Sequence, residues 1–196
     1  MPTFLFQRKR YSPDFGWDFA GQANTIGTGQ ISMSLLESND TIAITNALPI
    51  SDSRGKILGS DDSFDFAITT HATGAPGNIS YSISITKATV DSGYTALGDN
   101  QVKVYLTALS GEDNEVQVVK PTLVNSIITS GNTGNFTFDS GKTGYLTHSH
   151  ASANTTKTTK YRLRMWVDSA VDASNWNQNT KLQYKLKVGT SGTLSA

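Results

Sequence analysis

The segment TTKYRLRMWVDSAV, residues 158–171, alternates strictly between two kinds of side chain. One set is apolar, and the other carries two cations, an indole and a carboxylate. The apolar set is Tyr161, Leu163, Met165 and Val167, and the second set is Arg162, Arg164, Trp166 and Asp168. Because successive side chains of a β-strand point to opposite faces, a period of two predicts a strand with one face in a core. The fold must therefore contain a β-sheet that buries one of its faces in a hydrophobic core.

The same period of two returns along much of the chain. It occurs in FDFAI, NISYSISITKATV, QVKVYLTAL, NFTF and KLQYKLKV. Turn-rich pieces such as SDSRGK, TGAPGN, SGEDN and DSGKTG separate these segments. Only residues 35–50 leave room for a helix, so the crossover helices of a parallel sheet are missing. The pattern predicts an all-β fold, an antiparallel two-sheet β-sandwich of jelly-roll type.

Composition narrows the class of protein. Net charge is zero and aromatic residues make up 9% of the chain, which argues against disorder and against a nucleic-acid binder. The absence of cysteine excludes disulfides, a thiol nucleophile and zinc–cysteine sites. No run of about 18 apolar residues is present, so no membrane span is predicted. Zero net charge also leaves little repulsion between copies of the chain.

The first thirty residues follow a different pattern. They are rich in aromatic residues but show little sustained alternation, so we predict an extended amino-terminal arm at residues 1–30 and the sandwich at residues 31–196. The arm is expected to pack on its own domain or on a neighbour. The arm residues expected at an interface are Phe4, Phe6, Phe15, Trp17 and Phe19. Residues 1–15 lack a signal-peptide core, which predicts a chain that stays where it is made or has already been processed.

Several short motifs invite functional interpretations. DSGKTGY lacks the glycine that a phosphate loop requires, and DFGW stands without the other kinase motifs, so both are interpreted as chance. His148 and His150 would share one strand face as a possible metal pair, but a solvated loop is favoured. Acidic residues near Asp61 and Glu112 are interpreted as solvated turns. No catalytic residue and no cofactor is predicted, and sequons occur at Asn39, Asn78, Asn135 and Asn154.

The outer face of the opening strand permits three interpretations. Arg162, Arg164 and Trp166 could lie on a wet sheet face, where cross-strand pairs stabilise the strand. They could instead be covered by another subunit, since Trp and Arg are enriched in interface hot spots. A carbohydrate or anion platform is the third and weakest interpretation.

Taken together over residues 47–189, the strand segments resemble the TasA and camelysin group of extracellular β-sandwich filament subunits. The matching residues are Asp52, Gly55, Lys56, Phe64, Phe66, Tyr81, Leu106, Thr107, Tyr161, Leu163, Arg164, Trp166 and Asp168. The resemblance implies a jelly-roll subunit that assembles by strand exchange, in which the arm of one copy completes the sheet of the next. The group is exported, whereas this chain begins without an export signal.

These observations predict a non-enzymatic structural subunit. A virion structural protein is the first expectation, because jelly-roll sandwiches are common in virions. A TasA-like extracellular filament subunit is the alternative, and a carbohydrate-binding module using Trp166, Trp17 or Trp176 is the third. The expected partners are other copies of the chain or a different shell or filament protein. The expected location is a virion or an extracellular assembly.

Overall fold

A computed structural model describes residues 24–26, 29–35, 41–74, 76–110, 114–174, 176 and 179–195. Twelve strands are present in these ranges: β1 Asn24–Ile26, β2 Gly29–Leu35, β3 Thr41–Thr45, β4 Ser63–Ala72, β5 Gly77–Lys87, β6 Thr95–Ala96, β7 Val102–Ser110, β8 Asn114–Leu123, β9 Thr133–Asn135, β10 Thr147–His150, β11 Thr155–Val167 and β12 Leu182–Ser195. Two four-residue helices, α1 Asp52–Gly55 and α2 Val124–Ile127, and two 3-10 turns, Ser60–Asp62 and Thr143–Leu146, lie in the connections. No helix in the described ranges is long and apolar enough to cross a membrane.

The strands form two sheets. Sheet 1 has the order β1-β2-β4-β11-β7-β8, and sheet 2 has the order β10-β5-β12-β3. The antiparallel pairs are nested along the chain, since β3 pairs with β12, β4 with β11, β5 with β10 and β7 with β8. Such nesting is a long hairpin rolled into two layers, which is the topology of a jelly roll. The predicted fold class is confirmed.

The core lies between the inner faces of the two sheets. Sheet 1 contributes Phe64, Phe66, Leu106 and Leu163, all 1% exposed or less, and sheet 2 contributes residues such as Ile83. The interior residues alternate with outward-facing ones, as the period of two requires. Burial of these side chains stabilises the fold by about 1.5–3 kcal/mol each.

The second half of strand β11, residues 163–167, is buried on both faces, whereas Thr156, Thr158 and Lys160 on the outer face of its first half are exposed. The inner face of the second half belongs to the core, and its outer face is covered by the connection between β3 and β4, residues 46–62. The Ile50 amide donates to the Val167 carbonyl at 3.0 Å, and Gly55 of α1 lies against the Trp166 indole. Trp166 is only 2% exposed and Arg164 only 4%. The outer face of β11 around Trp166, for which the sequence permitted exposure to solvent, is therefore covered by residues of the same chain.

Most of the predicted strands are present, but β1, β2, β3, β6, β8 and β10 were not predicted as strands, and the predicted strand NFTF shares only Asn135 with β9. The region left open for a helix, residues 35–50, contains β3. The SDSRGK turn contains α1, and the predicted SGEDN turn leads into the ten-residue β8. The histidine segment, predicted as a loop, is β10. Residues 1–23 of the predicted arm lie outside the described residues. The rest of the predicted arm contains β1 and the first two residues of β2, and both strands belong to sheet 1. The boundary at residue 30 stays a prediction.

We predict that Gly55→Ala destabilises the protein by about 1–3 kcal/mol, because an added methyl group overpacks the site. A Cβ atom at Gly55 would lie 2.3 Å from Cδ2 of Trp166. The matched control is Gly59→Ala in the same connection, where a Cβ atom meets nothing within 4 Å. The measurement is the free energy of unfolding from urea titration. Equal free energies for the two variants would show that the connection does not press on Trp166.

Candidate functional site

Four charged side chains form one group on the outer face of sheet 1, which we call the charged cluster: Asp65, Glu115, Arg162 and Arg164. Cross-strand register places these residues side by side on β4, β8 and β11, with β7 lying between β11 and β8. The Arg162 guanidinium donates from Nε and Nη2 to both oxygens of Asp65, at 2.8 and 2.7 Å. Its Nη1 donates to Glu115 Oε1 at 2.8 Å. One arginine therefore links strands on both sides of it.

Arg164 completes the cluster and fastens the covering connection. Its Nη1 and Nη2 groups donate to the two Glu115 oxygens, and its Nε donates to the Leu58 carbonyl at 2.6 Å. Hydrogen bonds from Arg164 first, and then from Thr107 and Arg162, outweigh the burial of Glu115 and lower its pKa to about 2. These fork-shaped pairs are geometrically specific. Their role is to fix β8, β11 and residues 46–62 together.

A second ion pair lies at the end of the same strand. Lys103 Nζ on β7 is 3.0 Å from Asp52 Oδ1 of α1 and 3.1 Å from Asp168 Oδ1, just after β11. The lysine thereby joins the covering helix to the strand that it covers. It makes a second attachment of α1 beside Trp166.

A polar group also lies inside the sandwich, which we call the histidine cluster: Thr70, Tyr81, His148, His150, Thr155, Thr159 and Tyr161. His148 is 6% exposed and His150 is 3% exposed, so the predicted solvated loop is wrong and the shared strand face is confirmed. Both rings contact one hydroxyl group, Thr70 Oγ1, at 2.7 Å from His148 Nδ1 and 2.8 Å from His150 Nε2. The alternation in THSH predicted that the two histidines share a strand face, and in the structure that face points inward.

The histidine cluster is closed to substrates and does not form a ligand set. A threonine hydroxyl beside a histidine is the arrangement of an activated nucleophile, but Thr70 is 0% exposed and no substrate can reach it. Among the described residues, no group of three or more His, Cys, Asp or Glu side chains could hold a metal ion. The two rings are held by threonine hydroxyls instead.

The sheet edges differ in how they are protected. On β8, the Asp139 amide donates to the Val118 carbonyl at 2.8 Å, and Asp139 Oδ1 accepts from the Lys120 amide at 3.3 Å. Pro121 has no amide hydrogen, so the β8 edge is blocked. β3 and β10 are short, at five and four residues. Short edge strands also discourage further pairing.

One stretch of β12 has no partner on one side among the described strands; residues 36–40, which precede β3, lie outside the described residues. β12 pairs with β5 over residues 186–195, but β3 on its other side pairs only with residues 183–187. No described strand pairs with the second side of residues 188–195. Since Asn46 donates to the Leu182 carbonyl on that side, the even-numbered residues Thr190 and Gly192 direct their main-chain groups to this edge. We call residues 188–195 the open edge.

The predicted interface residues fall into two groups. Phe4, Phe6, Phe15, Trp17 and Phe19 lie outside the described residues. Arg162, Arg164 and Trp166 are brought together on β11, where contacts within the chain already engage them; their role at a subunit interface stays a prediction. The sequence interpretation missed Asp65 and Glu115 as their partners and took the acidic clusters around them for solvated turns. That prediction is wrong for Asp65 and Glu115, which lie in strands and form ion pairs.

Comparison with known proteins assigns the chain neither a family nor a function. No protein-family model and no curated protein sequence matches the chain. A structure of AvmM, which catalyses macrocyclization in alchivemycin A biosynthesis, is 10% identical, with 80% of this chain and 89% of that chain covered and a TM-score of 0.27. TmCBM61 in complex with beta-1,4-galactotriose is also 10% identical, with 82% and 88% covered and a TM-score of 0.23. Similarity at this level assigns no function.

We predict that Glu115→Gln lowers the free energy of unfolding at pH 7 by about 1–3 kcal/mol, because two arginines lose their anionic partner. The pKa of Glu115 is lowered on folding, so its contribution is complete above its ordinary pKa of 4.5 and is lost as pH falls towards 2. The difference between wild type and variant should therefore shrink from pH 5 to pH 2.5 in urea titrations. A constant difference across this range would contradict the role given to the ionised carboxylate.

Proposed function

We propose that the protein is a non-enzymatic structural subunit that assembles with other copies by strand addition at the open edge, residues 188–195. The observation that carries the proposal is the contrast between edges, since β8 is blocked, whereas residues 188–195 of β12 pair with β5 on one side and have no described partner strand on the other. An exposed sheet edge is a template for pairing with another chain. An added strand would lie beside β12 in line with β3 and would complete that side of sheet 2.

Residues 1–23 of a second copy are the proposed occupant. β1 begins at Asn24, directly after residues 1–23, and both β1 and β2 approach β12, so the point where the arm joins the sandwich lies near β12. Residues 1–23 carry three basic and two acidic residues, so the pairing rests on main-chain hydrogen bonds and aromatic burial and not on charge.

The energy of such an association is sufficient. Each main-chain hydrogen bond of an added strand contributes about 0.5–1.5 kcal/mol net. Burial of aromatic side chains such as Phe15, Trp17 and Phe19 adds about 1.5–3 kcal/mol each. The sum exceeds an association cost of about 4–15 kcal/mol when several aromatic residues and a full strand are engaged.

A virion structural or accessory protein is the first context that we propose, and an extracellular filament subunit is the alternative. Either kind of subunit needs a stable sandwich, an arm and a sheet edge with which the arm of another copy can pair. Carbohydrate binding is supported less by the described residues, since Trp166 is 2% exposed and offers no ring face to a sugar. Trp176 packs partly buried against the core, and Trp17 lies outside the described residues.

We predict that Gly192→Pro abolishes assembly and leaves the sandwich folded. Proline removes the amide hydrogen that an added strand would use, while the amide groups that pair with β5 belong to the neighbouring odd-numbered residues. Gly192→Ala is the matched control, because it adds a side chain and keeps the amide hydrogen. The measurement is molar mass by light scattering, with circular dichroism to confirm folding.

Wild type and Gly192→Ala should assemble, and Gly192→Pro should stay monomeric. Electron microscopy of the wild-type assembly then separates filaments from closed particles. Assembly of the folded proline variant to the wild-type mass would contradict a role for the open edge.

A further inference from the structure

The histidine cluster holds an edge strand in place. β10 has four residues and pairs with residues 77–80 of β5, at the border of sheet 2. His148 and His150 are the two side chains by which β10 reaches across the sandwich, and their hydrogen-bond partners Thr70, Thr155 and Thr159 belong to β4 and β11 of sheet 1. The attachment of β10 to the opposite sheet therefore includes two titratable groups.

Donor and acceptor counting assigns the protons of this chain of bonds. Thr155 Oγ1 donates to the Ser152 carbonyl at 2.8 Å, so it must accept from His150 Nδ1–H, 2.9 Å away. A neutral His150 then accepts at Nε2 from the Thr70 hydroxyl. The Thr70 oxygen is left to accept from His148 Nδ1–H. In this assignment, which takes both histidines as neutral, each carries its proton on Nδ1.

The last acceptor of the chain is His148 Nε2. The Thr159 hydroxyl lies 2.8 Å from this nitrogen, and the Tyr81 hydroxyl lies 3.4 Å away. Tyr81 and Tyr161 both donate towards the Tyr145 carbonyl, at 2.8 and 2.6 Å. From Thr159 to the Ser152 carbonyl, each group of this hydrogen-bond chain donates to the next one. Every ring nitrogen that carries no proton therefore already accepts a hydrogen bond.

An additional proton would break this order. A proton on His150 Nε2 would face the Thr70 hydroxyl, which would have to give up donating to that nitrogen and accept two N–H groups instead. The titratable groups around the pair are Tyr81 from β5, Tyr161 and Lys157 from β11, Tyr145 from the 3-10 turn and His71 from β4. None of these groups is a carboxylate, and a buried cation without an anionic partner is costly.

We propose that the histidine cluster is an acid-sensitive latch, in which protonation of His148 and His150 releases β10 from the sandwich and uncovers the edge of β5 at residues 77–80. The release is local. β4 and β11 share ten residue pairs, and the charged cluster holds β11 from its other face with a glutamate that stays ionised far below pH 5. The latch and the open edge lie on opposite sides of β5, since residues 78–80 pair with β10 on one side and with residues 193–195 of β12 on the other.

The direction of the effect follows from proton linkage. Burial first, and then the charges of His150 and Lys157, lower the pKa of His148 from 6.5 to about 4. Burial likewise lowers the pKa of His150. Between pH 6.5 and 4 the released strand binds protons more tightly than the latched one, so opening is favoured as pH falls. For His148 alone, the opening equilibrium should rise about 30-fold from pH 7.5 to pH 5.

Hydrogen exchange read by mass spectrometry tests the latch on the full chain. After correction for the intrinsic exchange rate at each pH, protection of residues 147–150 and 77–80 should fall about 30-fold between pH 7.5 and pH 5, while protection of β7 and β11 is kept. In the double variant His148→Asn/His150→Gln, amide groups replace the ring nitrogens that meet Thr70, and the pH dependence should vanish. His71→Gln is the control, since it removes the third histidine and keeps His148 and His150, and the pH dependence of β10 should persist.

Two results would overturn the proposal: unchanged protection of β10 at pH 5, or simultaneous loss of protection in β10 and β11. A titration of the imidazole resonances of wild type by nuclear magnetic resonance gives an independent answer that does not require the double variant to fold. A His148 resonance that titrates far below pH 6.5, with β10 signals changing in step, supports the latch. Titration at the ordinary value would contradict it.

Discussion

The architecture depends on the burial of residues 163–167 of β11 on both faces of the strand. On the inner face, Leu163 and its alternating neighbours fill the space between the sheets. On the outer face, residues 46–62 press Gly55 onto Trp166, and Arg164 hydrogen bonds to the same connection. A central strand covered in this way cannot slip in register, because a shift by one residue would place Arg164 in the core and Leu163 beneath the connection. The register of β4 and β7 follows from that of β11.

This constraint separates a rigid centre from the sheet borders. The charged cluster joins β4, β11 and β8 with fork-shaped hydrogen bonds, and Asp139 closes the outer side of β8. Sheet 2 is different, since its borders are the short strands β3 and β10 and the open edge of β12. The proposed assembly surface and the proposed latch both lie in sheet 2. Both can therefore change state without disturbing the centre of sheet 1.

The sequence predicted what period-two alternation can report. The long strands, the two-sheet sandwich and the shared face of His148 and His150 follow from side-chain spacing alone. The cover of Trp166 did not follow, because it depends on Gly55, which lies more than a hundred residues earlier in the chain. Asp65 was interpreted as a solvated turn residue, although its place between Phe64 and Phe66 put it on the outer strand face. Its arginine partner, Arg162, is set by the pairing of β4 with β11, which no local pattern encodes.

The central claim is that the arm of one copy pairs with the open edge of another. It is tested by amine cross-linking of an equal mixture of unlabelled and nitrogen-15-labelled protein, mixed as monomers and then allowed to assemble. Lys9 is the only lysine in residues 1–55, and Lys187 lies beside the open edge, so their cross-link reports the contact. The account predicts Lys9–Lys187 cross-links that join a labelled and an unlabelled chain. Cross-links found only between residues of the same label would show that the arm folds onto its own sandwich and would contradict the account.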